Sequence, residues 1–354
     1  MRIIEARNVN DALPQGLTLL HNRGEVENTR NGPVLRIPEP VATVLTHPCE
    51  RVLFAPWRDA NPFFHLVEAV WMLAGRNDLK QLTPYVKRMA EYSDDGVTQP
   101  GAYGERWRRH SNWGDQINRA VAQLKANLGD RRVVIQMWDP ADDGLKVGWS
   151  KDVPCNLTAL PYVSGGALHL TVFNRSNDVV WGLYGANAVH FSMLLEYLAG
   201  RIGLPVGTMT TISNNFHGYL STLPDRELVA ADPQPYAYER QHAAPRRMYA
   251  DWDGPNKDET RERISQEDLR IFFEHGPVES ATKARWPWLR QVVVPMALAH
   301  LHWRKNRGDA RYTGALEIME RVQASDWRAA GEQWLQRRYD KWKRAADDGA
   351  LHDD

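Results

Sequence analysis

The sequence predicts an α+β protein, and three stretches carry the prediction. Residues 157–173 read as a β-hairpin, L-T-A-L-P-Y-V running out and A-L-H-L-T-V-F returning around Ser164-Gly165-Gly166. Asn61-Pro62 opens an apolar helix that Gly75 closes. The last third has helical spacing and ends in a stripe of aromatic side chains.

The 354 residues suffice for one large domain or two ordinary ones. Forty-four basic residues balance 44 acidic ones, so net charge gives no pull toward a polyanion and local arginines must meet any anion. Two cysteines, Cys49 and Cys155, are too few for a disulfide scaffold and fit a reducing cytoplasm. The opening MRIIEARNVND lacks the long apolar run of a signal peptide. The best apolar run, 292–299, is short and broken by Pro295, so no membrane span is expected.

In chain order, residues 1–60 read as short strands and loops with a turn at Asn31-Gly32-Pro33. Arg30 beside that turn is either a solvated loop residue or part of a loop that grips phosphate. In the helix after Asn61, Phe64, Val67, Trp71 and Ala74 share one face, and Glu68 falls on it. A carboxylate there is costly unless paired, so Glu68 is either half of a buried ion pair or a group kept for proton transfer. Gly101-Ala102-Tyr103-Gly104 reads as a tight turn that offers Tyr103 to a cavity. Residues 111–128 form an amphipathic helix. Arg131-Arg132 then precede the buried-strand pattern V-V-I-Q-M-W. Paired arginines at a strand mouth are either solvated or hold a phosphate bidentately.

Antiparallel pairing of the hairpin arms brings Cys155, a nucleophile, level with Arg175, an anion-binding cation. Ser176, Asp178, His217 and Tyr219 lie on neighbouring elements. A helix runs from Asn187 to Ala199 and ends at Gly200 to Gly203, with His190 read as a packing residue. G-T-M-T-T-I-S is a strand that leads into the polar cluster N-N-F-H-G-Y. Pro224, Pro233, Pro235, Pro245 and Pro255 mark a long connection. Beyond it, Ser265 with Asp268 suggests a capping box, and 288–305 a helix kinked at Pro295. Ser325 caps a last helix whose Trp327, Trp334, Leu335, Tyr339 and Trp342 dock on the core. Its Arg337, Arg338, Lys341, Lys343 and Arg344 form a wet face. The expected division is a core at 1–222, a Pro-rich connection at 223–257 and a helical extension at 258–354.

In this order and spacing, the residues resemble the thymidylate synthase superfamily. P-C at 154–155 looks like its nucleophile motif, R-S-N-D at 175–178 like its nucleotide- and folate-binding motif, and H-G-Y at 217–219 like its sugar-binding motif. E-A-V-W-M-L-A-G at 68–75, G-A-Y-G at 101–104, Arg131-Arg132 and R-N-G at 30–32 also resemble family segments. The resemblance spans roughly residues 25 to 222. It implies a large twisted mixed sheet flanked by helices, and a homodimer joined through the sheets. It further implies that Cys155 adds as thiolate to carbon 6 of a pyrimidine nucleoside monophosphate, which makes carbon 5 nucleophilic. Arg175 would lower the thiol pKa and bind the phosphate with Ser176, Arg30 and the second subunit's copies of Arg131 and Arg132. His217 and Tyr219 would hold the sugar, and Asp178 with Gly182 the folate. Methylenetetrahydrofolate would donate the carbon, Glu68 and Tyr103 would manage the protons, and no metal is implied.

The chain departs from the synthases in four places. Asn156 replaces the histidine after the nucleophile. The base-reading asparagine should lie four residues after Gly182, where Ala186 stands, and Asn187 comes one later. Residues 89–97 lack the W-x-x-W pair that lines the folate pocket, and 350–354 lack the apolar closing tail. Excluding water requires that lid and a stacked folate. R-S-N-D-V-V also resembles the phage hydroxymethylase branch. The expectation is therefore a hydroxymethylase acting on dUMP or dCMP in a host cytoplasm, with reductive methylation to dTMP as the alternative. A more distant alternative is a non-catalytic nucleotide or nucleic-acid binder, whose basic aromatic C-terminal helices would stack bases. For a binder, the set Cys155, Arg175 and Glu68 would be superfluous.

Overall fold

The hairpin lies within a six-stranded mixed sheet. Among the described residues the strands are β1 (Arg2–Ala6), β2 (Glu25–Thr29), β3 (Gly32–Arg36), β4 (Val41–Leu45), β5 (Ile135–Gln136), β6 (Asn156–Ser164), β7 (Ala167–Asn174), β8 (Asn177–Asp178), β9 (Val206–Ser213) and β10 (Phe216–Tyr219). The large sheet has the order β1-β4-β9-β7-β6-β5, and a smaller one the order β2-β3-β10-β8. This computed structural model describes residues 1–146, 148–231, 237–249 and 258–347. The tail at 350–354 and the connection's Pro233, Pro235 and Pro255 lie outside the described residues.

Strand alternation fixes the faces. Leu168, Leu170 and Val172 of β7 are fully buried, while Ala167, His169, Thr171 and Phe173 on the opposite face are partly exposed. Register aligns Asn156 of β6, Asn174 of β7 and Ser213 of β9 across one end of the sheet. That polar row underlies the candidate site.

Helix Asn187–Ile202 covers the buried face, and Gly203 ends it at φ +87°. It runs through Gly200, where a stop was expected, because the left-handed residue that ends it is Gly203. Helix Pro62–Leu73 packs on it, with Asn61 Oδ1 accepting from Phe64 N at 3.1 Å as the cap. The expected single apolar face understates its burial, since all twelve residues are buried. The C-terminal helices cover the far side. Phe63 lies 5.4 Å from both the His300 and the Trp334 ring.

Several elements differ from expectation for local physical reasons. Residues 1–60 contain a helix, Val9–Arg23, capped by Asn8. Pro14 and Gly16 disguise it. A Cβ on Gly16 would sit 2.7 Å from Tyr184 Cε2, so glycine is there for close packing. The segment 101–104 is less a free turn than the start of helix Tyr103–Arg108. Gly104 rests against the Met72 backbone, where a Cβ would be 2.3 Å from the Met72 carbonyl. The helix expected from 111 begins at Gln116, because Asp115 caps it through Asn118 N at 2.8 Å. Ser265 lies inside helix Asp258–Lys283, not at its start. Asp268 instead accepts from Arg285 N and Trp286 N, at 2.7 and 2.5 Å, and so caps the segment that follows. Arg337 and Arg338, expected to be solvated, pair with Asp59 at 3.1 and 2.5 Å. In place of the expected kink, Pro295 sits in the first turn of helix Val294–Lys305, which follows a wider turn at Leu289–Val293.

The last helix, Ser325–Asp347, is anchored by a buried carboxyl. Asp326 is 1 % exposed and accepts from Trp327 N at 2.8 Å and Tyr238 Oη at 3.2 Å. Burial pushes its pKa up to about 7. The folded chain thus keeps a proton that the unfolded chain releases above pH ~4, and stability falls as pH rises from about 4 to 7. At about 1.4 kcal/mol per pH unit, the window amounts to about 4 kcal/mol. Urea unfolding at pH 5 and pH 8 should show this slope in the native protein and a flatter one in Asp326→Asn. Equal slopes would exclude Asp326 as the cause.

Candidate active site

Cys155 immediately precedes β6 and Arg175 immediately follows β7, so the pairing that makes the hairpin makes their proximity. Arg175 N donates to the Cys155 carbonyl at 3.0 Å. The Arg175 guanidinium donates to the Pro154 and Val153 carbonyls at 2.8 and 2.9 Å. Its charge is thus fixed beside the partly buried thiol. Burial nevertheless pushes the thiol pKa up, Arg175 and Arg30 pull it down, and Asp152 pushes it up further. Burial thus works against the expected anionic sulfur, and the two arginines work for it.

The smaller sheet brings the sugar and phosphate candidates together. β10 pairs with β8, setting His217 beside Asp178, and with β3, setting Tyr219 beside Val34. The β2–β3 turn carries Arg30, and Asn31 Nδ2 donates to Tyr219 Oη at 3.5 Å. His217 is buried with its ring 5.4 Å from that of Tyr219. Ser176 sits partly exposed between Arg175 and β8. Arg131 and Arg132 stand apart from this group. Both are exposed before the edge strand β5, and Arg132 pairs with Asp130 at 2.9 Å.

A cavity of about 190 Å³ opens beside the nucleophile. Glu68, Gln99, Tyr103, Asp152, Asn187 and His190 are its polar lining, and Ala186 lies among them. Tyr103 interacts electrostatically with Cys155 and hydrogen-bonds to Asn156, which ties the cavity to the nucleophile's strand. Burial pushes the Tyr103 hydroxyl pKa well up, so it is a neutral donor or acceptor. Glu68 is 7 % exposed and its Oε2 lies 2.8 Å from His190 Nε2. Glu68 is thus paired, as one sequence reading expects, and it also lines the cavity.

The displaced asparagine has a geometric explanation. Val179–Ala186 winds as a wide π turn, and Asn187 N donates to the Gly182 carbonyl five residues back. One extra residue per turn is what such a bulge absorbs. Asn187 therefore reaches the cavity, and its amide contacts Asn177 Oδ1 at 3.2 Å and Asn156 Nδ2 at 3.5 Å. Gly182 leaves room for this contact, since a Cβ there would be 3.2 Å from Asn177 Oδ1 and 3.4 Å from Asn187 Nδ2.

On the expected folate side, Asp178 accepts from Val180 N and Trp181 N, both at 3.1 Å, and caps the π turn. Burial raises its pKa while these bonds oppose the rise. Met89 and Tyr92, three residues apart, line the cavity with Trp71 and Leu82. They have the spacing of the missing W-x-x-W pair, with less aromatic area. An apolar wall facing a carboxylate and an amide suits a flat heteroaromatic ring, so these residues fit a folate.

Residues 61–242 match the family described as Thymidylate synthase. A deoxyuridylate hydroxymethyltransferase of Pseudomonas phage M6 is 42 % identical over the whole of both chains. The chain belongs to the thymidylate synthase family. A second deoxyuridylate hydroxymethyltransferase, from Bacillus phage SP01, is 37 % identical over 58 % of this chain and 55 % of its own length. A putative thymidylate synthase of Methanosarcina acetivorans is 30 % identical over 62 % of this chain and 89 % of its own. The mixed sheets flanked by helices are this family's α+β fold.

Membership leaves some residues of this thymidylate synthase-family site unforeseen. Its sequence context speaks for His190 as packing, yet it bonds Glu68. Its position three after Asn187 on one helix was the available signal. Asp152 accepts from Gly101 N at 2.9 Å and lines the cavity. Arg58 stacks over Trp181 at 3.8 Å and donates to the Val180 carbonyl at 2.7 Å, bracing the π turn. Nothing in the sequence near Arg58 announced that contact.

Proposed function

We propose that this protein transfers a one-carbon unit to carbon 5 of deoxyuridine monophosphate and completes it as a hydroxymethyl group. The observation that carries the reading is the cavity in which Glu68, Tyr103 and Asn187 converge beside Cys155 and Arg175. Methylenetetrahydrofolate supplies the carbon at the formaldehyde oxidation level. Arg30, Arg175 and Ser176 bind the phosphate, and His217 and Tyr219 the sugar. Asn187 reads the base edge, its amide held by Asn177 and Asn156. Cys155 adds to carbon 6, Tyr103 moves the proton at carbon 5, and Glu68 moves the protons of the one-carbon unit. Asp178 and Gly182 border the pterin, with Met89 and Tyr92 as its wall.

One feature of the cavity favours hydration over hydride transfer. The wall residues Met89 and Tyr92 stack less surface than two tryptophans. The names of the two phage relatives fit the same outcome and the same base. Their sources suit work in an infected cell's cytoplasm, on precursors of modified phage DNA. Among the described residues no helix is long and apolar enough to cross a membrane.

The protein acts as a homodimer in this reading. The outer face of the large sheet presents Leu157, Phe173 and Ile212 around a groove of about 280 Å³ that also touches Arg175. A second copy packed there would cover apolar surface and bring its Arg131 and Arg132 to this chain's phosphate site. That role explains two exposed arginines that do not act on the thiol of their own chain.

The test is product mass spectrometry with methylenetetrahydrofolate and each of the four uridine or cytidine monophosphates, ribo and deoxy. Hydroxymethylated deoxyuridylate with release of tetrahydrofolate is the expected result. A methylated product with dihydrofolate would replace this reading by that of a synthase. No product from any substrate would leave a nucleotide binder.

A further inference from the structure

We infer that His190 is a positioning residue that makes Glu68 the base for the hydration step. The inference rests on the hydroxymethyl reading and deepens it. Both side chains are buried, His190 at 3 % and Glu68 at 7 % exposure, and both line the cavity. They come from different helices, Pro62–Leu73 and Asn187–Ile202, which pack directly on each other. The 2.8 Å contact between Nε2 and Oε2 fixes the carboxyl rotation. Among the described residues no group bonds Oε1, which leaves that oxygen for a molecule in the cavity. Nδ1 of His190 is buried without a hydrogen-bond partner among the described residues, so the ring makes its single polar contact to Glu68.

The surroundings oppose any other role for the ring. His65, one turn before Glu68, is held neutral by burial, with a pKa lowered to about 3 by burial, Arg58 and His190. The cavity's other polar groups, Gln99, Tyr103, Asn187 and Asp152, make their own contacts and do not displace the one to Glu68.

The step balances without an oxidant or reductant. After the one-carbon unit is joined to carbon 5, the ring bears an exocyclic methylene and carbon 6 is still bonded to Cys155. A water oxygen bonds to the methylene carbon, and the double-bond electrons move to the carbon 4 carbonyl as an enolate. The water's proton passes to Oε1 of Glu68. The enolate then reforms the carbonyl and the 5,6 double bond, and the carbon–sulfur bond breaks to release Cys155. His190 donates from Nε2 to the carboxylate throughout, which holds Oε1 toward the water.

The test compares His190→Ala and His190→Gln with the native protein in two assays. The first is exchange of the carbon 5 hydrogen of deoxyuridylate with heavy water in the absence of folate, which requires Cys155 but no hydration. The second is turnover with folate, resolved into kcat and KM. His190→Ala should keep exchange and nucleotide KM within about threefold and lose kcat about 100-fold. His190→Gln, whose amide N–H can replace Nε2–H, should regain at least a tenth of native kcat. Native kcat in His190→Ala overturns the inference. So does equal loss of exchange and turnover in both variants, which is the signature of a packing residue. If the native protein releases a methylated product, the hydroxymethyl reading falls by itself, whatever the variants do.

Discussion

Replacing Cys155 with serine is expected to reduce turnover at least ~10⁴-fold, about 5.5 kcal/mol of transition-state stabilisation, while nucleotide affinity changes by less than about threefold. Adding a nucleophile to an uncharged pyrimidine ring requires an anion that both forms and leaves near neutral pH. A thiol can supply one even with a raised pKa, because Arg175 and Arg30 act on it. A serine hydroxyl at the same place has no histidine beside it, since the following residue is Asn156. Asp152, the carboxylate that acts on the site, has its own pKa raised by burial and accepts from Gly101 N. In the proposed mode, binding rests on other groups, chiefly Arg175, Ser176, His217 and Tyr219, and oxygen is smaller than sulfur. Calorimetric titration with deoxyuridylate beside steady-state kinetics separates the two quantities. Retained turnover in Cys155→Ser would end the covalent mechanism.

The largest effect on stability is expected from Asp143→Ala, a loss of about 3–5 kcal/mol. Arg106 and Asp143 are 2 % and 1 % exposed and bond bidentately, Nη1 to Oδ2 at 2.6 Å and Nη2 to Oδ1 at 2.8 Å. The same guanidinium donates to the Met137 carbonyl at 2.6 Å and the Pro100 carbonyl at 3.0 Å. It thereby joins helix Tyr103–Arg108 to the loop after β5. Removing the carboxylate strands a charge in the core, which costs more than the pair contributes. The double variant Arg106→Met with Asp143→Ala should therefore recover at least half of the loss. Urea unfolding of the two variants checks this, and a single variant within about 1 kcal/mol of the native protein would refute it. Because Tyr103 opens the helix that Arg106 anchors, Asp143→Ala should also lower kcat.

What the sequence disclosed follows from the range of the forces involved. The hairpin, the Asn61 cap and the ordering of Cys155 against Arg175 depend on neighbours in sequence or on strand pairing, and they were legible. Helix Val9–Arg23 was not, because Pro14 and Gly16 speak locally for a break while Tyr184 supplies the reason for the glycine from far along the chain. Asp268 looked like a cap for its own helix and caps residues 17 and 18 positions later. His190 looked like packing because Glu68 is 122 positions away in sequence. The thiol's raised pKa was also hidden, since burial is a property of the assembled core.

The wide turn before Asn187 bears on how such chains should be compared and altered. In an ordinary helix each residue advances the side-chain direction by about 100°, so adding one residue would swing everything downstream onto a different face. Here the added length is swallowed inside a single coil, and Phe191, Leu194, Leu195 and Leu198 keep pointing into the core. Position-by-position counting from Gly182 consequently arrives at Ala186, while the proposed base reader is Asn187. Deleting Gly185 would place the asparagine four residues after Gly182 with the fold's interior unshuffled.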